Sequence, residues 1–243
     1  MSLSRRGYLR DSRDPLNVIM LLMPLFLLYS VGILTTGGVR IGVDHVSGLL
    51  RYGLFGGHDA YYLLFNIVAA LVFLAVAARL RDRQAFRPSI YLLVVLESTF
   101  YGMLLGVLVG SFLVRLGIHP PGVLALAVHA IEQLGAWESF VLSIGAGLWE
   151  EIVFRLLLLG GLVAVGKRGL RLRPLTAWTV ALLVSSLAFS AIHYTGNMAD
   201  TFTVYSFMFR FVAGVLFGLL YWARGLAVVV YTHAIYDIIV LVL

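Results

Sequence analysis

Apolar residues run through this chain in seven windows of about twenty, bounded by short polar segments that are mostly basic. The windows cover residues 16–35, 61–80, 90–114, 137–165, 176–194, 203–222 and 226–243. A bilayer core is about 30 Å thick, so a helix needs about 20 apolar residues to cross it. The pattern predicts an all-α fold, a polytopic transmembrane helix bundle of about seven spans. A weaker apolar segment at 122–135, holding His129 and Glu132, is too short to cross and reads as a re-entrant or interfacial helix. The first window follows Arg5, Arg6, Arg10 and Arg13, like the start of a signal peptide. Its apolar run is too long for that and no small-residue cleavage site follows, so it reads as a retained anchor. No repeat, low-complexity tract or soluble domain is visible, and residues 1–243 form one membrane domain.

Composition sharpens this picture. The chain is 61% hydrophobic and 12% charged, with a mean hydropathy of +0.97. A soluble domain is nearer half apolar and a quarter charged. There is no Cys, which excludes disulfides, thiol catalysis and cysteine metal ligands. A net charge of +6 would suggest nucleic acid for a soluble protein, but here it reports membrane orientation and no nucleic-acid partner is expected. With the N-terminus cytoplasmic, the inside segments hold Arg5, Arg6, Arg10, Arg13, Arg79, Arg81, Arg83, Arg87, Lys167, Arg168, Arg171, Arg173 and Arg224. The outside segments hold only Arg40, Arg51 and Arg115, a strong positive-inside bias that an eighth span at 122–135 would spoil. The expected setting is the plasma (inner) membrane.

One window is unlike the rest. "GLWEEIVFR", residues 147–155, sets Glu150, Glu151 and Arg155 among apolar residues. Each ionisable group at the centre of a membrane helix costs roughly 2.5–3.5 kcal/mol on insertion scales. Three of them cost about 8–10 kcal/mol before pairing, comparable with a whole domain's stability. A structural ion pair accounts for Glu151 and Arg155, four apart on one helical face with the acid first. It does not account for Glu150, which points about 100° away. Two later windows carry polar groups as well: Phe189 and His193 in "FSAIH", and His233 and Asp237 in "HAIYD". A lone membrane histidine is more often a helix–helix hydrogen bond than a catalyst. Three helices each offering such groups hold a general base, a second proton handler and a polarising group.

Counting excludes several intramembrane chemistries. No His is followed by Glu, so the H-E-x-x-H zinc-protease motif is absent. Asp237 is the single aspartate within a predicted span, which leaves no aspartyl dyad, and no Gly-x-Ser-Gly occurs. Glutamate plus histidine remains. An alternative from another class, a proton- or ion-coupled transporter or a non-proteolytic membrane binding protein, would use the same groups as a relay. A transporter favours inverted repeats, and no duplication is visible.

Taken in order, Glu150-Glu151-Ile-Val-Phe-Arg155, Phe189-Ser-Ala-Ile-His193 and His233-Ala-Ile-Tyr-Asp237 resemble the motifs of the CAAX protease and bacteriocin-processing (CPBP) membrane proteins, which include the Ras-converting CAAX prenyl endopeptidases. That family's pattern is E-E-x-x-x-R, F-x-x-x-H and H-x-x-x-N on successive helices. The resemblance covers residues 149–243, so 137–243 would be the catalytic helices and 1–136 helices without a recognised motif. Asp237 stands where the family usually has Asn.

The resemblance implies an intramembrane endopeptidase that cuts near the C-terminus of a membrane-associated peptide or lipidated protein in the lipid bilayer. Glu150 and His193 would activate a water, while His233 and Asp237 would stabilise the tetrahedral oxyanion. Glu151 and Arg155 would support the site by fixing the helix. Asp237, one turn past His233, is expected to accept a hydrogen bond from one ring nitrogen and leave the other to face the oxyanion. No cofactor is favoured; zinc bound by Glu150, His193 and His233 with one open position is the alternative. Elsewhere, Glu97 and Arg210 are expected to pair with other helices or line the cavity. Gly214 and Gly218 form a G-x-x-x-G packing motif, and Gly145 and Gly147 let a neighbouring backbone approach. His45, His58 and His119 fall in outside loops and read as solvated.

Overall fold

A computed structural model describes residues 5–36, 54–81, 86–120, 135–195 and 200–242. Within these ranges every regular element is helical, as the apolar windows require. A short α1 (Arg5–Asp11) leads into α2 (Pro15–Thr35), α3 (Asp59–Arg81) and α4 (Ile90–Arg115). Next comes α5, an unbroken helical run over 136–169 that changes register along its length. It begins α-helical at Ala136–Gly145 and is π-helical over Ala146–Glu150 and Ile152–Leu159. The last three elements are α6 (Pro174–Ile192), α7 (Val204–Arg224) and α8 (Leu226–Leu241). Proline at the first turn starts α2 and α6, where its missing N–H is harmless. The Thr203 side chain caps α7 by accepting the Ser206 N–H at 3.0 Å. Gly225, at φ +86°, makes the reversal from α7 to α8 in one residue.

Among the described residues five helices are long and apolar enough to cross a membrane as single elements: α2, residues Ala60–Arg81 of α3, α4, α6 and α7. The window 137–165 falls in α5. The window 226–243 corresponds to α8, whose 16 residues span only about 24 Å. α8 is the central helix, packed on α2, α4, α5 and α7, with every residue from Ala227 to Ala234 buried. Being apolar on all sides suits it to that place. By contrast α3 is peripheral, and its Leu64, Ile67 and Leu71 are exposed where lipid would lie.

Small residues decide how closely the central helices approach. A Cβ added at Gly147 would lie 2.5 Å from the Ala234 nitrogen, so α5 and α8 touch backbone to backbone there. Gly145 makes room for the Tyr29 ring of α2. Gly214 and Gly218 seat α7 on α6 against Ser186 and Leu182, the packing expected of the motif.

Polar contacts gather the basic segments at one end of the bundle. Arg87 pairs with Asp11 at 3.2 Å, and Arg13 bonds the Trp222 carbonyl. Trp178 at the start of α6 meets Trp222, with ring centres 5.8 Å apart. Glu97 accepts from both Arg224 Nε (2.6 Å) and Nη2 (2.8 Å), and from Tyr8 and Tyr101, tying α1, α4 and α7 together. Arg210 pairs with Asp200 at 2.5 Å and donates to the Tyr194 hydroxyl at 2.9 Å. His58 and His119 are exposed. The segment 122–134, with His129 and Glu132, and the residues Arg40, His45, Arg51 and Arg83 lie outside the described residues.

Candidate active site

The site forms where the π-helical part of α5 meets α6, α7 and α8. A π-bulge widens the turn, and such bulges recur at functional sites. Ser185 of α6 donates to the Phe154 carbonyl in this segment at 2.7 Å, and the Phe154 and Phe189 rings meet edge to face at 5.5 Å. These contacts set the register between α5 and α6. Glu150 and His193 are equally far, in residues, from the turn between Gly169 and Pro174, so antiparallel packing brings them level. Trp149 meets Phe26, near the middle of α2, with ring centres 6.2 Å apart, which places Glu150 at mid-depth. His193 caps α6 and Asp237 is one turn from the end of α8, so both helices end just past the site. The site therefore faces the end of the bundle away from the basic segments.

Glu150, His193, His233 and Asp237 come together at this point. Glu150 sits between two imidazoles, with Oε1 3.8 Å from His193 Nε2 and Oε2 3.9 Å from His233 Nε2. Both distances exceed a direct hydrogen bond, and one water can bond both partners of either pair. Glu150 Oε2 is buried and makes no hydrogen bond among the described residues. His193 Nδ1 donates to the Phe189 carbonyl at 2.9 Å. A carbonyl only accepts, so Nδ1 carries the hydrogen and Nε2 faces Glu150.

His233 departs from the expectation for Asp237. Its Nδ1 donates to Glu151 Oε1 at 2.7 Å, and Asp237 Oδ2 lies 3.5 Å from Nε2. The ring is thus held from behind by Glu151, while Asp237 stands on the same side as Glu150. The side chain of Asp237 is 17% exposed, the most open of the four. Glu151 also keeps its expected partner, with Arg155 Nη1 3.0 Å from Oε1. The Arg155 guanidinium lies 4.3 Å from the Phe189 ring centre and 5.2 Å from that of Phe217. Phe217 stacks on the His233 ring at 4.5 Å and 22°. Sequence reasoning missed Phe217 and the link from Glu151 to His233. The signal for Phe217 was its place between Gly214 and Gly218, where α7 comes closest to its neighbour.

A tetrahedral zinc holds N and O ligands at about 2.0–2.1 Å, all directed at one point. Among the described residues no group of three or more His, Asp or Glu is placed to hold a metal ion. Glu150, His193 and His233, as arranged, do not fit a zinc ligand set.

Residues 132–239, which hold α5 to α7 and α8 up to its last two residues, match the family model described as Type II CAAX prenyl endopeptidase Rce1-like. Over these helices the chain is similar to the CAAX protease family. The description is of CAAX prenyl endopeptidases, and the apolar helices make this chain an integral membrane protein. No curated protein and no solved structure matches it.

Proposed function

We propose that this protein is an intramembrane endopeptidase in which Glu150 and His193 activate a water. It would cut a peptide bond near the C-terminus of a membrane-associated or prenylated (CAAX-type) substrate. The observation that carries the reading is Glu150, buried between the Nε2 atoms of two histidines that each anchor Nδ1 elsewhere. Glu150 takes a proton from the water as its oxygen bonds to the scissile carbonyl carbon, and the carbonyl electron pair moves to oxygen. His193 Nε2 accepts the water's second hydrogen as a hydrogen bond and aims the lone pair. His233, protonated on both nitrogens and balanced by Glu151, donates Nε2–H to the oxyanion. Glu150 then passes its proton to the leaving nitrogen as the C–N bond breaks.

The setting is the plasma (inner) membrane with the N-terminus cytoplasmic, supported by the basic segments gathered at one end. In that orientation the scissile bond is presented from the opposite, outer half of the bilayer. The family's name supports a prenylated substrate.

The test is purified protein with a panel of lipid-anchored peptides, prenylated and not, scored by mass spectrometry in H2(18)O. One (18)O should enter the new C-terminus, and Glu150→Gln should cut at least about 100-fold more slowly. Cleavage by purified Glu150→Gln at near the wild-type rate would remove Glu150 from the chemistry, and no cleavage of any peptide would overturn the reading.

A further inference from the structure

A pair holding α5 together needs only Glu151 and Arg155, four residues apart on one helix. The oxygen that meets Arg155 Nη1 at 3.0 Å also accepts from His233 Nδ1 at 2.7 Å, on a different helix. All three residues are buried: 0% exposed at Glu151, 1% at Arg155 and 5% at His233. A hydrogen bond to a carboxylate in such a place is short, strong and directional. A carboxylate only accepts, so the bond assigns a hydrogen to Nδ1 and makes Nε2 the atom that faces Glu150 and Asp237.

The aromatic rings complete the seat. Phe217 stacks flat on His233, and Phe189 meets it edge to face at 5.9 Å and 73°. The same two rings flank Arg155. Arg155 also donates through Nη2 to the Gly214 carbonyl at 3.4 Å, which fixes the guanidinium to α7. Arg155, so held, faces Glu151 Oε1, and that oxygen in turn holds His233 Nδ1.

We propose that Glu151 is a positioning residue for His233, with Arg155 as its lock, and that this Arg155–Glu151–His233 relay aims Nε2 at the reacting carbonyl. The assignment rests on the protease reading. Glu151 touches no reacting atom; its effect passes through the imidazole, as when an outer carboxylate orients a histidine ligand.

Two double variants isolate this role. Glu151→Gln/Arg155→Met and Glu151→Met/Arg155→Met both remove the Glu151–Arg155 pair together, so neither strands Arg155, and both take the counter-charge from His233 to the same extent. They differ in one respect: glutamine keeps an acceptor for Nδ1–H and methionine does not. The glutamine variant should exceed the methionine variant in kcat by about 10–100-fold, with KM alike within about threefold. Equal kcat in two folded variants would reduce Glu151 to a structural role and overturn the proposal. A second readout needs no turnover: (15)N NMR of histidine-labelled protein, with His233 assigned by its loss in His233→Gln. Wild-type His233 should carry hydrogen on Nδ1 as well as on Nε2, and the methionine variant should lose the one on Nδ1. A wild-type spectrum without Nδ1–H overturns the proposal even if the methionine variant fails to fold. Nδ1–H that depends on Glu151, in a protein that cleaves no peptide, would leave the relay standing and remove only the protease reading.

Discussion

Gly147→Ala tests whether the backbone contact between α5 and α8 is what assembles the site. The new Cβ would lie 2.5 Å from Ala234 N, 2.6 Å from Ala234 Cβ and 2.8 Å from Ala234 Cα. Ordinary contacts are at least about 3.5 Å, so the two helices must part by about 1 Å. Two of the three obstructing atoms are backbone in a central helix, so no side-chain rotation relieves the clash. Overpacking of this kind costs about 1–3 kcal/mol. The effect on chemistry should be larger than the effect on folding. Glu150 and Glu151 lie one turn from Gly147, and His233 adjoins Ala234, so the same displacement separates the groups that meet at 2.7 and 3.9 Å. Misplacement by about 1 Å can cost about 100-fold in rate. The assay is kcat on a cleaved lipid-anchored peptide well below the melting temperature, beside thermal unfolding in detergent. Gly161→Ala is the control, because an added Cβ there meets nothing within 4 Å. It should be neutral or stabilising by up to about 1 kcal/mol. A Gly147→Ala protein with wild-type kcat would refute the claim that this contact sets the catalytic geometry.

The other predictions concern position 237 and the topology. Asp237 Oδ2 is 3.5 Å from His233 Nε2 on the reacting side, where a protonated carboxyl and an asparagine amide can each donate to the oxyanion, so Asp237→Asn should keep activity within about tenfold while Asp237→Ala loses about 100-fold. Activity should persist with chelator in metal-free buffer; an inactive Asp237→Asn, with stoichiometric zinc in the wild type and none in the variant, would establish a metalloprotease instead. Reporter fusions after Arg83 and after Arg171 should read cytoplasmic and one after His58 external, and a cytoplasmic signal at His58 would reverse both the span order and the side to which the site opens.

The candidate site residues were legible in the sequence because ionisable groups stand out where every neighbour is apolar. Insertion cost singles out Glu150, Glu151, Arg155, His193, His233 and Asp237 without any knowledge of their contacts. Helical period also separates Glu150 from the Glu151–Arg155 face, since that is a property of one helix. The relation between helices was not legible. Hydropathy windows place Glu150 at mid-span, His193 near one end and His233 near the other. Their meeting depends on the register of α5 against α6, set by Ser185 and Phe189, and on a short central α8 that stops beside the site. The second partner of Glu151 is 82 residues away, and no local pattern announces it. Asp237 shows the same limit, because one-turn spacing from His233 suggested the partner of one ring nitrogen, and the packing of α5 on α8 gives that bond to Glu151 instead. Sequence alone determined which groups had to be paired or used. Tertiary structure decided which of them met, because the distance between helices depends on where Gly147, Gly214 and Gly218 let backbones approach.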